Sequence, residues 1–319
     1  MTQRFFDLNT DLRNRFGERV QKITVDAGLT CPNRDGTLST GGCIYCNPKG
    51  SGSGAFAEGL SITRQLQDSR DYIARRYKAG KFLVYFQSFS NTYAPLPALK
   101  SMYDEALTAI DGVVGLSIGT RPDCVNESVL GLLEGYARDY LIWIEYGLQS
   151  VHDQTLARIN RGHDFACFER AVALTQGRGI RICAHVILGL PGEGRSHVLE
   201  TAQKLADLSI HGVKIHLLYV VKGTPLESEY RAGRYQPLEQ TEYAEWVCDF
   251  LELLPPEMVI QRITGDPHPE ELAAPLWSLD KNGTRNRILD ILRKRESWQG
   301  KRFREPSDTG ENRVADWMI

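Results

Sequence analysis

Three cysteines in one short loop constrain this chain more than any other feature. Cys31, Cys43 and Cys46 are spaced C-x11-C-x2-C in a Gly-rich stretch that follows a strand-like run, Ile23-Thr24-Val25-Asp26-Ala27. Three thiolates gathered in one place make a soft-metal site. Structural zinc takes four protein ligands. A four-iron cubane held by three cysteines instead keeps one iron open to another ligand. No histidine lies near the loop, the first in the chain being His152. Three ligands without a fourth favour the cluster. A zinc knuckle completed by a distant residue, or three buried core cysteines, are the alternatives.

The 319 residues have ordinary hydrophobic and charged fractions and can bury a large α/β core. A net charge of −2 gives no overall pull toward nucleic acid, so any such contact needs a local patch. No apolar run reaches the roughly 20 residues of a membrane span. The start, Met1-Thr2-Gln3-Arg4-Phe5-Phe6-Asp7, lacks the apolar stretch of a signal peptide. Seven cysteines, three of them clustered, read as metal binding in a reducing compartment, so a cytoplasmic location is expected.

Strand and helix patterns alternate along the chain. Residues 1–20 read as a helical lead-in and 21–28 as the first strand. Asn47 to Gly54 reads as a flexible continuation of the cysteine loop. Helical periodicity at 61–78 precedes the apolar run Lys81–Phe86, whose continuity suits a strand buried on both faces. Helices near 96–110, 126–137, 152–159, 164–177 and 196–208 alternate with strands at 113–118, 141–146, 180–188 and 213–220. Six strand–helix units of parallel type predict an α/β fold, a partial (βα)6 barrel, because closure takes eight. The strand ends are polar: Gln87 to Thr92, Gly119 to Asp123, Tyr146 to Ser150, Gly189 to Glu193 and Lys222 to Pro225. They ring the same mouth as the cysteine loop, where parallel sheets bind ligands.

The cysteine loop, with the aromatic Tyr45 directly before its last cysteine, resembles the signature of radical S-adenosylmethionine (SAM) enzymes, although C-x3-C-x2-C is their commoner spacing. Thr120-Arg121-Pro122-Asp123, Glu145-Tyr146-Gly147-Leu148-Gln149-Ser150 and Asn160-Arg161-Gly162-His163 resemble consecutive motifs of the Elongator catalytic-subunit family. Gly189-Leu190-Pro191 and Gly223-Thr224-Pro225 recur there and in coproporphyrinogen-dehydrogenase-like enzymes. The resemblance covers roughly residues 20–230. It implies a radical SAM barrel, a [4Fe-4S] cluster on Cys31, Cys43 and Cys46, and SAM against the strand ends. By the same comparison Tyr45 lies beside the adenine, and Gln149 and Arg161 contact SAM. Ser88, Asn91, Thr120 and His185 are the further cofactor-binding candidates. Gly119 stands where relatives often carry a carboxylate, and His185 where others carry an Asp. No catalytic residue is assigned; Cys124, at the barrel mouth, is the one candidate, while Cys167, Cys183 and Cys248 read as small core residues.

Residues 21–235 are expected to form the radical SAM core and 236–319 a small C-terminal α/β extension. That extension reads as a helix at 239–254, a strand at 259–266 and a helix at 284–295. Its basic residues, among them Arg293, Lys294 and Arg295, with Trp277 and Trp298, read either as a phosphate-and-base surface or as a solvated helix face over a barrel-closing pair of tryptophans. No stretch resembles the acetyltransferase domain of the Elongator enzymes. The implied activity is reductive cleavage of SAM to a 5′-deoxyadenosyl radical. The implied partners are a tRNA, modified on a wobble uridine side chain, and a flavodoxin- or ferredoxin-type electron donor; no membrane partner is expected. Radical chemistry on a small molecule or tetrapyrrole, and a non-catalytic zinc-stabilised RNA-binding protein, are the alternatives.

Overall fold

The computed structural model describes residues 3–47, 49–50 and 54–304. Pro48 and residues 51–53 of the glycine-rich segment lie outside the described residues. In chain order the elements are α1 (Leu8–Phe16), β1 (Val20–Val25), α2 (Ile62–Tyr77), β2 (Lys81–Phe86), α3 (Leu96–Thr108), β3 (Val113–Thr120), α4 (Glu127–Ala137) and β4 (Leu141–Gln149). Then follow α5 (Asp153–Arg158), α6 (Phe165–Thr175), β5 (Arg181–Leu188), α7 (Arg195–Ala206) and β6 (Gly212–Leu217). The remainder is β7 (Val220–Val221), α8 (Pro225–Arg231), α9 (Gln240–Leu253), β8 (Val259–Arg262), β9 (Leu272–Ala274) and α10 (Lys281–Lys294). Helix starts follow local chemistry. Asp7, Ser61, Asn126, Asp164 and Thr224 each accept a backbone N–H of the first turn, which satisfies a donor the helix cannot.

One seven-stranded parallel sheet runs in the order β1-β2-β3-β4-β5-β6-β8. Six of its strands are the six expected from alternation. The seventh, β8, is the strand read in the C-terminal third, and it pairs with β6 through Gly212↔Val259 and Val213↔Ile260. Periodicity can call such a strand but not its neighbour. The sheet curls into a half-barrel. Lys22 on β1 donates to Gln261 on β8 at 2.8 Å, although these are the two edge strands. At the seam between them, Phe6 offers its carbonyl to the Ile260 N–H at 2.8 Å.

Alternation assigns the two faces. Ile23, Val84, Ile118, Ile144, Ile182 and Ile215 point outward into the main core under the helices. Val20, Leu83, Leu141, Trp143, Cys183 and Val259 point inward at the N-terminal ends of the strands, where Leu12 of α1 joins them as an apolar plug. Everything polar inside the barrel is therefore pushed toward the opposite end, where the cysteine loop leaves β1. No described helix is long and apolar enough to cross a membrane.

Candidate metal and cofactor site

The cysteine loop is held by other loops at the same end. Ile44 N–H donates to the Ile159 carbonyl at 3.1 Å, and Leu226 N–H, from the Gly-Thr-Pro turn, donates to the Ile44 carbonyl at 2.9 Å. Asn160 Nδ2 donates to the Gly42 carbonyl at 2.7 Å, and Asn33 Nδ2 returns a bond to the Asn160 carbonyl at 2.6 Å. The Asn-Arg-Gly-His segment is thus a cradle for the cysteines. Arg121 of the Thr-Arg-Pro-Asp motif supports it from behind. It is 2% exposed, grips Asp123 with two bonds of 2.8 and 2.6 Å, and donates to the Arg161 carbonyl at 2.7 Å. Gly162 takes φ +76°, and a Cβ there would stand 3.0 Å from Asn33 Oδ1, so glycine keeps the cradle closed.

Cys31, Cys43 and Cys46 all line one cavity of about 410 Å³. Positive and amide donors face two of the sulfurs. Arg34 Nη1 is 3.4 Å from Cys46 Sγ, Arg161 Nη1 is 3.6 Å from Cys43 Sγ, and Asn33 Nδ2 is 3.8 Å from Cys43 Sγ. Such donors suit thiolates that carry cluster charge, and hydrogen bonds to sulfur tune the potential. Among the described residues no three His, Cys, Asp or Glu are grouped closely enough to hold a single metal ion. Three cysteine thiols on one cavity are the donor set that leaves one iron of a four-iron cluster open.

Tyr45, Thr120, Gln149, Arg161 and His185 line the same cavity. Arg161 is 6% exposed, and its guanidinium also bonds the Gly147 carbonyl at 2.5 and 3.1 Å. A Cβ on Gly147 would sit 2.6 Å from that guanidinium, so only glycine lets it close. The ladder between β4 and β5 shifts register between Gly147 and Gln149, and Gln149 takes φ 81°. This bulge aims Gln149 into the cavity, and strained backbone of this kind is common at binding sites. Thr120 Oγ1 shares a 2.7 Å hydrogen bond with Thr92 Oγ1.

Three expected site residues stand outside the lining. Asn91 turns its amide to the Gly119 carbonyl at 2.8 Å, and Ser88 is buried with its hydroxyl unpartnered. Cys124 lies beside Asp123 at 3.8 Å, and burial, reinforced by Asp123, pushes its thiol up to about 12. Ser90, Gln87, Tyr85 and Gly119 occupy the wall in their stead.

The cavity floor is a charged cluster, of which motif reading singles out only His185 as a site residue. Glu145, wholly buried on β4, accepts Lys22 Nζ at 2.6 Å and His185 Nε2 at 2.7 Å, and also binds Lys214 and Ser117. Burial alone would raise the Glu145 carboxyl, but Lys214, Lys22 and His185 outweigh it and hold it well below the usual range. Burial lowers Lys22 to about 8, against the opposing pull of Glu145. Burial, helped by Lys214, lowers His185 to about 4. His185 is therefore neutral near pH 7 and donates from Nε2 to the carboxylate, which leaves Nδ1 as an acceptor. The available signal was charge inside apolar strand runs, as in Val213-Lys214-Ile215-His216. In a curled sheet such residues face the interior.

Four cations of the C-terminal basic stretch are paired with carboxylates. Arg295 binds the buried Asp249 at 2.8 Å, Arg302 reaches Glu252 at 3.5 Å, Lys281 binds Asp266 at 2.7 Å, and Arg293 pairs with Asp290. Trp277 donates to the Leu238 carbonyl at 3.0 Å and packs on Tyr243 of α9. Trp298 stays 49% exposed.

Comparison with known proteins agrees with this geometry. The chain is 43% identical to YtqA of Bacillus subtilis over 301 residues, which is 94% of this chain and 93% of that one. It is 27% identical over 191 residues to the tRNA uridine(34) acetyltransferase of Dehalococcoides mccartyi, covering 59% of this chain and 40% of the relative. The solved structure of an archaeal Elp3, from Methanocaldococcus infernus, shares the fold with a TM-score of 0.67 at 17% identity, over 88% of this chain and 64% of that one. Residues 210–294 match the radical SAM C-terminal domain. Residues 35–205, which carry two of the three cysteines, the Asn-Arg-Gly-His cradle and four strands of the half-barrel, match the radical SAM superfamily, and the chain belongs to it.

Proposed function

We propose that this chain is a radical SAM enzyme that modifies tRNA on the side chain of a wobble uridine. The observation that carries the tRNA reading is the 191-residue match to a tRNA uridine(34) enzyme. The superfamily uses a [4Fe-4S] cluster and SAM. On this reading Cys31, Cys43 and Cys46 hold the cluster, and Tyr45, Thr120, Gln149, Arg161 and His185 face SAM. When bound, the pair supplies one-electron cleavage of the sulfonium and hence radical chemistry, with the electron drawn from a flavodoxin- or ferredoxin-type donor.

The protein's own contribution is orientation and charge. Arg34 and Arg161 offset the thiolates from two sides. The Arg161 fork is fixed by the Gly147 carbonyl, so little of its freedom remains to be lost on binding. The neutral His185 presents an acceptor held by Glu145, suited to an ammonium or hydroxyl donor. The apolar plug beneath Glu145 closes the barrel to water from below.

Two measurements test the reading. Anaerobically reconstituted protein should hold one four-iron cluster, and Cys31→Ala, Cys43→Ala or Cys46→Ala should abolish it; stoichiometric zinc without acid-labile sulfide would overturn the cluster. Nucleosides from small RNA of wild-type and deletion cells, compared by mass spectrometry, should differ in a modified uridine. Identical profiles would overturn the tRNA reading.

A further inference from the structure

The wall of the cavity built by β6 and β8 carries charge that its own residues do not balance. Three carboxylates line the cavity, Glu145, Asp266 and Glu271. Each already has a cation. Glu145 holds Lys22 and Lys214, Asp266 holds Lys281 at 2.7 Å, and Glu271 holds Lys49 at 2.9 Å. Arg262, the last residue of β8, lines the cavity half-buried, and its side chain has no hydrogen bond or ion pair among the described residues. It sits in register beside Lys214 on β6, so two cations stand side by side with one carboxylate between them and Lys22. Two residues along β6, His216 also lines the cavity, and its Nε2 is buried without a partner. Its ring lies 5.2 Å from that of His185, whose own Nε2 is taken by Glu145.

A half-buried guanidinium and a buried ring nitrogen left unpaired on one wall are costly unless something fills them. A guanidinium's planar fork matches two oxygens of one oxyanion. Burial, with Arg262 and His185 nearby, holds His216 well below its ordinary pKa, so the ring is neutral and can donate from one nitrogen. We propose that Arg262 and His216 form an oxyanion subsite that takes a carboxylate or phosphate carried by the substrate. The proposal rests on the reading of this cavity as the reaction site. It holds whether the substrate is a nucleic acid or a small molecule.

The test uses reconstituted holoprotein with SAM present. Trifluoroacetate is titrated by fluorine NMR and inorganic phosphate by phosphorus NMR, and the tighter of the two identifies which oxyanion the subsite prefers. Wild-type protein should bind at least one probe saturably. Arg262→Gln should weaken that binding at least about tenfold, the loss of one charge-assisted fork. Arg262→Lys, which keeps the charge without the fork, should fall between and guards against misfolding of the first variant. SAM affinity by equilibrium dialysis should stay within about twofold in both, since no SAM candidate is altered. No saturable binding by wild type, or equal binding by wild type and Arg262→Gln, would overturn the subsite. A parallel loss of SAM affinity would assign the subsite to SAM's own carboxylate and overturn the substrate role. An unchanged nucleoside profile, by contrast, removes the tRNA reading and leaves these titrations standing.

Discussion

Glu145→Gln isolates the electrostatics of the barrel floor. The substitution keeps size and one acceptor but removes the only carboxylate that Lys22 and Lys214 touch among the described residues. The Lys214 side chain is 4% exposed and that of Lys22 is 17% exposed, so Lys22 can recruit some water and Lys214 little. Breaking a buried ion pair by removing one partner costs roughly 3–5 kcal/mol. A second route bounds the same quantity. Lys214 can escape by losing its proton, and from an ordinary lysine pKa near 10.5 that costs about 5 kcal/mol at about pH 7. Both routes place the loss at about 3–5 kcal/mol. The sign of its pH dependence follows. In the variant the folded lysines titrate below the unfolded ones, so the unfolded chain binds more protons and stability rises with pH up to about 10.5. Urea denaturation with an unchanged m value should show the full loss at about pH 7 and a clearly smaller one at about pH 9.5. A loss under about 1 kcal/mol, or one that does not shrink at the higher pH, would refute the reasoning.

Two further outcomes are expected. Gln149→Ala should weaken SAM binding roughly tenfold, and Arg161→Ala more, since charged hydrogen bonds contribute about 1.5–3 kcal/mol; the cluster signal by electron paramagnetic resonance should persist in Gln149→Ala, and unchanged equilibrium binding in both variants would reject their placement at SAM. His185, lowered by burial to about 4 from an ordinary 6.5, carries one proton fewer in the folded state between those values. Its stabilisation is therefore whole above about pH 6.5 and is lost as pH falls toward 4, by roughly 3 kcal/mol; His185→Gln should flatten that limb of the urea midpoint against pH, and parallel profiles would refute it.

The order of elements was legible because parallel strands buried on both faces are apolar throughout, as β2 is, and because helices between them keep their period. The cysteine loop, Tyr45, Gln149, Arg161 and His185 were legible as motif positions, and they meet in one cavity. What motif reading could not supply was the curl of the sheet. Lys22 and Gln261 stand on opposite edges of the strand order, and only closure brings their side chains to 2.8 Å. Glu145 drew notice as the first residue of a motif, whereas its neighbours come from β1, β3, β5 and β6, and no local pattern encodes that. One cation of the C-terminal basic stretch is hidden from local reading in the same way. Arg295 reads as open surface charge until α9 places the buried Asp249 against it.

The long first spacing of the cysteine loop also has a structural resolution. Gly42 N–H donates to the Asn33 carbonyl at 2.7 Å, so the chain returns at Gly42 to where it left at Asn33. Residues 34–41 are a closed detour, pinned inside by Leu38 N–H to the Pro32 carbonyl at 2.8 Å and outside by Thr37 Oγ1 to Tyr93 at 2.9 Å. With the detour removed, the path reads Cys31-Pro32-Asn33-Gly42-Cys43, which is C-x3-C, and Cys46 then completes C-x3-C-x2-C. The departure from the common spacing is thus a loop inserted at a point where the two ends already touch, and such insertions add little closure entropy. The detour has also gained a role, because its first residue, Arg34, reaches back to Cys46 Sγ at 3.4 Å. Gly42 is the hinge of this return. It takes φ +69°, and a Cβ there would stand 3.2 Å from the Arg34 side chain. Any larger residue would press on the cation that faces the third cysteine.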